Sequence, residues 1–166
     1  MLHVAQVLAV LFVSVTMALA LAHALEFPGK MRLAKEQYLA VQQIYYPGFS
    51  IGGAAEPLSV LMTLILLFLT PPGAAFWLTA SAFVALLVMH AAYWLLTHPV
   101  NNFWLQGTEL SRAGRDFFSF DPLYRKSGSD PGDWTQLRDR WEYSHLVRAG
   151  LGLLSLILLV TAVAKS

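Results

Sequence analysis

Arg138-Asp139-Arg140-Trp141-Glu142-Tyr143-Ser144-His145-Leu146-Val147-Arg148 runs without a helix breaker into the last apolar segment of the chain, and its reading decides the fold. Ala149 to Ala164 are 16 uncharged residues, and at ~1.5 Å per residue they make roughly 24 Å of helix. A bilayer's hydrocarbon core is about 30 Å thick. A spanning helix must therefore draw in Arg148 and His145, with Glu142 one turn further out. Arg138, Glu142, His145 and Ala149 follow i, i+4, i+7, i+11 and share a helix face, with Arg148 at its flank. Charge inside a membrane segment is costly and faces the bundle interior, so Glu142, His145 and Arg148 read as lining an internal polar site. The bland alternative is that Arg148 snorkels to the headgroups above an ordinary wet helix entrance.

Of 166 residues, 57% are hydrophobic and 13% charged, the composition of an integral membrane protein. The absence of cysteine excludes disulfides, thiolate metal sites and cysteine nucleophiles. The net charge of +1 says little about partners. The bilayer itself and a lipophilic small molecule are the expected ones; nucleic acid is not, and self-association or a membrane-complex partner stays open.

Apolar stretches at about 4–25, 49–70, 74–97 and 142–164 each approach the ~20 residues of a spanning helix. In the first, Ala22-His23-Ala24 resembles a signal cleavage site. The run lacks a basic leader and exceeds the ~7–15 apolar residues of a signal peptide, so it reads as a span. Ten of the eleven Lys and Arg residues fall at the end shared by loops 1–2 and 3–4, and only Lys165 at the other. The positive-inside rule places both loops in the cytoplasm and both termini outside it. Thr70-Pro71-Pro72-Gly73 is a short uncharged turn, so the expected fold is all-α: one domain over residues 1–166, a four-transmembrane-helix up-down-up-down bundle. Pro28-Gly29 should end the first helix. Met31, Ala34, Tyr38, Val41 and Tyr45 then recur at spacings of three and four, which predicts a short amphipathic helix between spans one and two.

The polar residues within the spans carry the functional case. Span two must begin near Phe49 to be long enough, which places Glu56 about 10 Å inside it, between Gly52-Gly53 and Pro57. An intramembrane carboxylate beside a helix distortion is a candidate functional group. His90, alone in an apolar helix, reads as structural, whereas His98 with Asn101 and Asn102 is a denser cluster. The loop from Gln106 to Asp133 carries Phe117, Phe118, Phe120 and Tyr124 and then Ser127-Gly-Ser-Asp-Pro-Gly132, and a lid or substrate entrance is one reading of it. Asp133 and Gln136 suit the N-cap and N3 positions of the final helix.

Four antiparallel spans would bring His23, Glu26, Glu56, His98, Glu142 and His145 to one end. Carboxylate-bridged dimetal bundles use Glu-x-x-His on two helices and a Glu on each of the others. Glu142-x-x-His145 fits, His23-x-x-Glu26 is the same pair reversed, Glu56 is one single carboxylate, and His98 replaces the other. Imidazole and carboxylate without thiolate suit iron, manganese, zinc or copper(II). The competing reading ranks first: a metal-free pocket in which His145 is a general base oriented by Glu142, and Arg148 or Asn102 stabilises an anion.

Pro99-Val-Asn-Asn102, Trp134 and Trp141-x-x-x-His145-Leu-Val-Arg148, with Phe27-Pro-Gly29 and Tyr46-Pro-Gly-Phe49 as weaker matches, resemble the anthrone-oxygenase-like family of small four-span membrane proteins, largely a domain of unknown function. The resemblance covers most of the chain and implies oxygenation of an electron-rich aromatic or quinol-like substrate. By position it makes Asn101, Asn102, Trp141, His145 and Arg148 the candidates; Asn101 and Trp141, with Trp104 at the exit of span three, are the expected substrate-binding residues, and His23, Glu26, Glu56 and Glu142 stand outside the family pattern. The expectation is a membrane oxidoreductase of oxygenase type, with its site in the cytoplasmic half and a transition metal as an open question. Two alternatives remain: a non-enzymatic accessory or scaffold subunit, and a lipid- or quinone-binding protein.

Overall fold

The computed structural model describes residues 1–105, 108–120 and 133–166, and among these there is no strand. In chain order the elements are α1 (Leu2–Lys30), α2 (Lys35–Gln42), a 3-10 turn (Gln43–Tyr45), α3 (Gly48–Gly52), α4 (Ala55–Leu69), α5 (Ala74–Ala92), a π turn (Tyr93–Thr97), α6 (His98–Trp104), α7 (Arg112–Ser119) and α8 (Trp134–Ala164). Four stretches are long and apolar enough to cross a membrane: Leu2–Lys30, Gly48–Leu69, Ala74–Trp104 and Trp134–Ala164. Tyr124 and the turn residues 127–132 lie outside the described residues.

Hydrophobicity does not choose the packed face of these helices, because lipid and core are both apolar. Side-chain size does. Ala5, Ala9, Val13, Ala82, Leu86 and Leu159 are buried, while Leu11, Phe68, Trp77, Ile157 and Val160 face outward. α8 packs against α1 and α5, and α4 packs against the same two. The approach of α8 to α1 is close enough that a Cβ on Gly152 would lie 3.3 Å from the Met17 Cα. Hydrogen bonds mark the register. Gln6 Nε2 donates to the Ser166 hydroxyl at 2.8 Å, Ser155 donates to the Ala82 carbonyl at 3.0 Å, and Thr97 and Ser144 share a bond of 2.8 Å. Between α4 and α5, Gly73 adopts φ +154°, a conformation that side chains with a Cβ rarely take.

Two expectations about boundaries change. Pro28-Gly29 does not end α1, which continues to Lys30. A proline so near a C-terminus forfeits a single bond, to the carbonyl of Ala24, and the one residue past Gly29, Lys30, is in contact with Glu26 and Glu142. The third span does not stop at Thr97 either. Pro99 has no N–H for the Leu95 carbonyl and would crowd it in a regular helix. The chain widens into the π turn instead, and Arg140 Nη2 donates to the freed Leu95 oxygen at 2.6 Å. The start of α8 follows expectation: the Asp133 carboxylate accepts from the Thr135 N–H at 3.1 Å.

Candidate functional site

A cavity of about 1020 Å³ opens among the end of α1, the segment from Gln42 to Pro57, the π turn with α6, α7, and the first half of α8. Its walls carry Tyr45, Phe49, Tyr93, Trp94, Trp104 and Trp141 among other aromatic and small residues, and its polar groups include His23, Glu56, His90, Asn101, His145 and Arg148. Apolar walls with a few convergent polar groups are the usual form of a small-molecule site.

Glu56 is brought here by the break at Gly53 and Ala54. It occupies the first turn of α4, where Pro57 costs no intrahelical bond. Arg148 Nη2 donates to its Oε2 at 2.5 Å, and His90 Nδ1 lies 3.2 Å from its Oε1. The Trp94 indole donates to His90 Nε2 at 3.1 Å. Indole nitrogen only donates, so His90 Nε2 is an acceptor and its proton sits on Nδ1, facing Glu56. The result is an ordered relay from Trp94 through His90 and Glu56 to Arg148, at a point where each spanning helix except α1 supplies a member.

Arg148 also fixes His145. Its Nη1 lies 3.2 Å from His145 Nδ1, and guanidinium cannot accept, so the proton of His145 is on Nε2. This corrects the expected role: a histidine with its proton on Nε2 and a cation against its other nitrogen donates rather than acts as a base. The expected orienting carboxylate is elsewhere as well, since Glu142 accepts from the Tyr38 hydroxyl at 2.7 Å and lies 3.5 Å from Lys30 Nζ. What holds the His145 ring is packing, against Trp141 at 4.1 Å and His23 at 4.2 Å between centroids. Asn101 accepts from the Trp141 indole at 2.9 Å, which steadies the same wall. Asn102 is exposed and does not line the cavity, so its expected part in anion binding is withdrawn.

Beside the cavity lies a second polar nest. Lys30, only 3% exposed, lies 3.1 Å from Glu26 and sits over the rings of Tyr45 and Trp141 at 4.6 Å each. The Tyr45 hydroxyl donates to Glu26. Burial pushes the Tyr38 phenol above its ordinary value, with Glu142 adding to the shift, and Tyr45 rises through burial and its bond to Glu26.

The six expected metal ligands therefore do not form one set. Glu56 is taken by Arg148 and His90, and Glu26 and Glu142 flank Lys30. His98 has both nitrogens engaged: Nε2 donates to the Phe120 carbonyl at 2.6 Å, and Nδ1 lies 3.1 Å from the Tyr93 hydroxyl. His23 and His145 share a wall, but among the described residues no three His, Asp or Glu side chains are placed to hold a metal ion. The donors present do not fit a metal.

The cavity thus gathers His23, Glu56, Asn101, Trp104, Trp141, His145 and Arg148 from the expected residues and leaves Glu26, His98, Asn102 and Glu142 outside. His90, Tyr93 and Trp94 are members that sequence reasoning missed. One signal was present for His90: it and Glu56 lie at similar distances along the chain from the tight turn at 70–73, which makes them neighbours in a helical hairpin. Comparison with protein-family models, curated proteins and solved structures found no match to this chain.

Proposed function

We propose that this chain is a multi-pass membrane oxidoreductase of oxygenase type that takes a lipophilic, quinol-like aromatic into the cavity beside Glu56, Arg148 and His145. The observation that carries the reading is the Arg148–Glu56–His90 relay on the wall of an aromatic-lined cavity between apolar helices. The resemblance of Trp141-x-x-x-His145-Leu-Val-Arg148 to the anthrone-oxygenase-like pattern supports the same reaction class.

The four helices cross in up-down-up-down order, supported by the pairing of Gln6 with Ser166 at one end and Lys30 with Glu142 at the other. The bias of Lys and Arg toward the cavity end supports a cytoplasmic location for that half, with both termini on the opposite side. α2 caps that end of the bundle, with its Tyr38 fully buried against Trp104 and Trp134.

The reaction balances without a cofactor. A methylene activated by flanking aryl rings and a conjugated ring oxygen gives up a proton to Glu56, and the Arg148 guanidinium stabilises the oxyanion that forms. Dioxygen then takes the substrate's electrons. Two C–H bonds are lost, one oxygen atom becomes the new carbonyl, and the other leaves as water with the two hydrogens.

The test is oxygen consumption by the full chain in detergent micelles given anthrone. Uptake of one O2 per quinone formed is expected, with a fall of at least tenfold in Glu56→Gln and Arg148→Lys that remain folded. Wild-type protein that binds anthrone but consumes no oxygen would leave a lipophile-binding protein in place of an enzyme.

A further inference from the structure

Residues that line the cavity and are also exposed mark its mouth. Ile51, Ala54 and Pro57 form one rim and Phe117 of α7 belongs to the other; Ile51 is 72% exposed and Phe117 41%. The rims are joined at one end by Tyr46, whose hydroxyl donates to the Ser111 hydroxyl at 3.1 Å. At the other end the contacts run from Glu56 through His90 and Trp94 to Phe117, with the Trp94 and Phe117 ring centroids 5.9 Å apart. This second end lies at lipid depth. Phe68 and Trp77, beside the tight turn at 70–73, are 82% and 69% exposed, as aromatic residues at a membrane interface are. At ~1.5 Å per residue, Pro57 lies roughly 16 Å from Phe68 along α4, and Trp94 roughly 26 Å from Trp77 along α5 and the π turn. Both distances fall within the ~30 Å of a hydrocarbon core. The polar atoms there agree, since lipid offers no hydrogen bonds and the protein must satisfy each such atom itself. The His90 side chain is 34% exposed, yet its Nδ1 donates to Glu56 and its Nε2 accepts from the Trp94 indole. What it presents outward is ring carbon, and the one polar atom of the Trp94 side chain is used in the same contact.

We infer that the cavity opens sideways onto the acyl chains of the bilayer, through a window between the start of α4 and α7, and exchanges its contents with lipid rather than with water. The inference concerns the route and holds for any lipophilic ligand, so it does not rest on the reaction proposed above. The window follows from unequal helix lengths. α4 begins at Ala55, whereas α5 continues through the π turn and α6 to Trp104, so beyond the pair of Glu56 and His90 the hairpin has only one wall. α3 does not replace the missing one. It leans on α1, where a Cβ on Gly52 would lie 2.9 Å from Leu19 Cδ1, and α7 meets the π turn through the rings of Phe117 and Phe120 against Trp94. An apolar molecule partitions out of water into the bilayer, so a side opening meets it where it is most concentrated.

The chain has no cysteine, so single reporters can be placed in the full protein in phosphatidylcholine nanodiscs. Ala54→Cys and Phe117→Cys, one on each rim, carry a nitroxide. Val84→Cys in the exposed middle of α5 is the lipid reference and Ala40→Cys on the exposed face of α2 the water reference. Both rims should match Val84, with collisions by dissolved oxygen favoured over those by a water-soluble nickel chelate. Passage is read at Asn101→Cys, inside the cavity, with neutral N-phenylmaleimide and a trimethylammonium methanethiosulfonate, each rate divided by that reagent's rate at Ala40→Cys. The neutral reagent should be at least about tenfold faster, since a charge is costly at lipid depth. Ala54→Phe, which fills part of the gap with a ring, should slow it about threefold or more. Nickel access at the rims as high as at Ala40, poor access of both colliders, equal normalised rates, or a rate that Ala54→Phe leaves unchanged would each overturn the inference. If Asn101→Cys or Phe117→Cys does not fold, the nitroxide at Ala54 decides. No readout depends on turnover, so the window can fail with oxygen consumption intact, and oxygen consumption can fail with the window intact.

Discussion

Two carboxylate pairs in this chain differ in what their charges are worth. Glu56 and Arg148 are both buried where they meet, so removing one partner leaves the other charge without compensation. Glu56→Gln should lower stability by about 3–5 kcal/mol, read as a depressed thermal midpoint in detergent. The double substitution of Glu56 and Arg148 to methionine should recover most of that loss. Asp139, 43% exposed beside Arg138, should change stability by less than about 1 kcal/mol as Asp139→Asn. Glu56 was legible in the sequence because span two is too short without it, and Arg148 because span four is too short without it. Those arguments concern length, which a linear sequence states directly. Partnership is another matter. Glu142 and His145 share a spacing of three but not an environment, because Glu142 points to Tyr38 on α2, and periodicity sets a residue's face without naming its partner on another helix. His90 looked structural for the converse reason: its partners, Glu56 and Trp94, come from a neighbouring helix and from the π turn.

Among the elements, the third span shows how a proline can build a site rather than end a helix. The π turn at 93–97 offsets α6 from α5, and the offset carries Asn101 to Trp141 and His98 to Phe120. The Leu95 carbonyl is left to Arg140 of α8. Arg140→Gln should therefore destabilise by about 1–3 kcal/mol and raise amide hydrogen exchange across 95–101 above that in the middle of α5; uniform exchange along both segments would show that the carbonyl needs no such partner. The existence of this helix was legible from its apolar length. Its widening was not, since Pro99 ordinarily signals a terminus, and what overrides the signal is a side chain arriving from α8. The extension of α1 past Pro28 has the same origin in a tertiary contact, that of Lys30 with Glu142.

At the scale of the whole molecule, the polar end is a layer of phenols, carboxylates and one lysine, and its response to alkali follows from the phenols. Tyr38 and Tyr45 are held above the ordinary tyrosine value, chiefly by burial, whereas Tyr46, which donates to the Ser111 hydroxyl and accepts from the Ser111 N–H, is held below it. For the raised pair, the unfolded chain ionises first. Their contribution to stability is complete below a pH of about 10 and is lost as pH climbs beyond it toward the folded values. Tyrosinate absorbance should rise early for Tyr46, and should rise for Tyr38 and Tyr45 only together with loss of the helical circular dichroism signal. Ionisation of Tyr38 while the helices stay intact would mean that the layer admits water. The opposite end is different in kind. There Ala5, Ala9, Val13, Leu66, Ala82, Leu86 and Leu159 close on one another, so the bundle is packed shut along its axis at that end. A ligand held in the aromatic chamber therefore has no onward route along the bundle axis, and its entry and exit are confined to the half of the molecule that carries the charge.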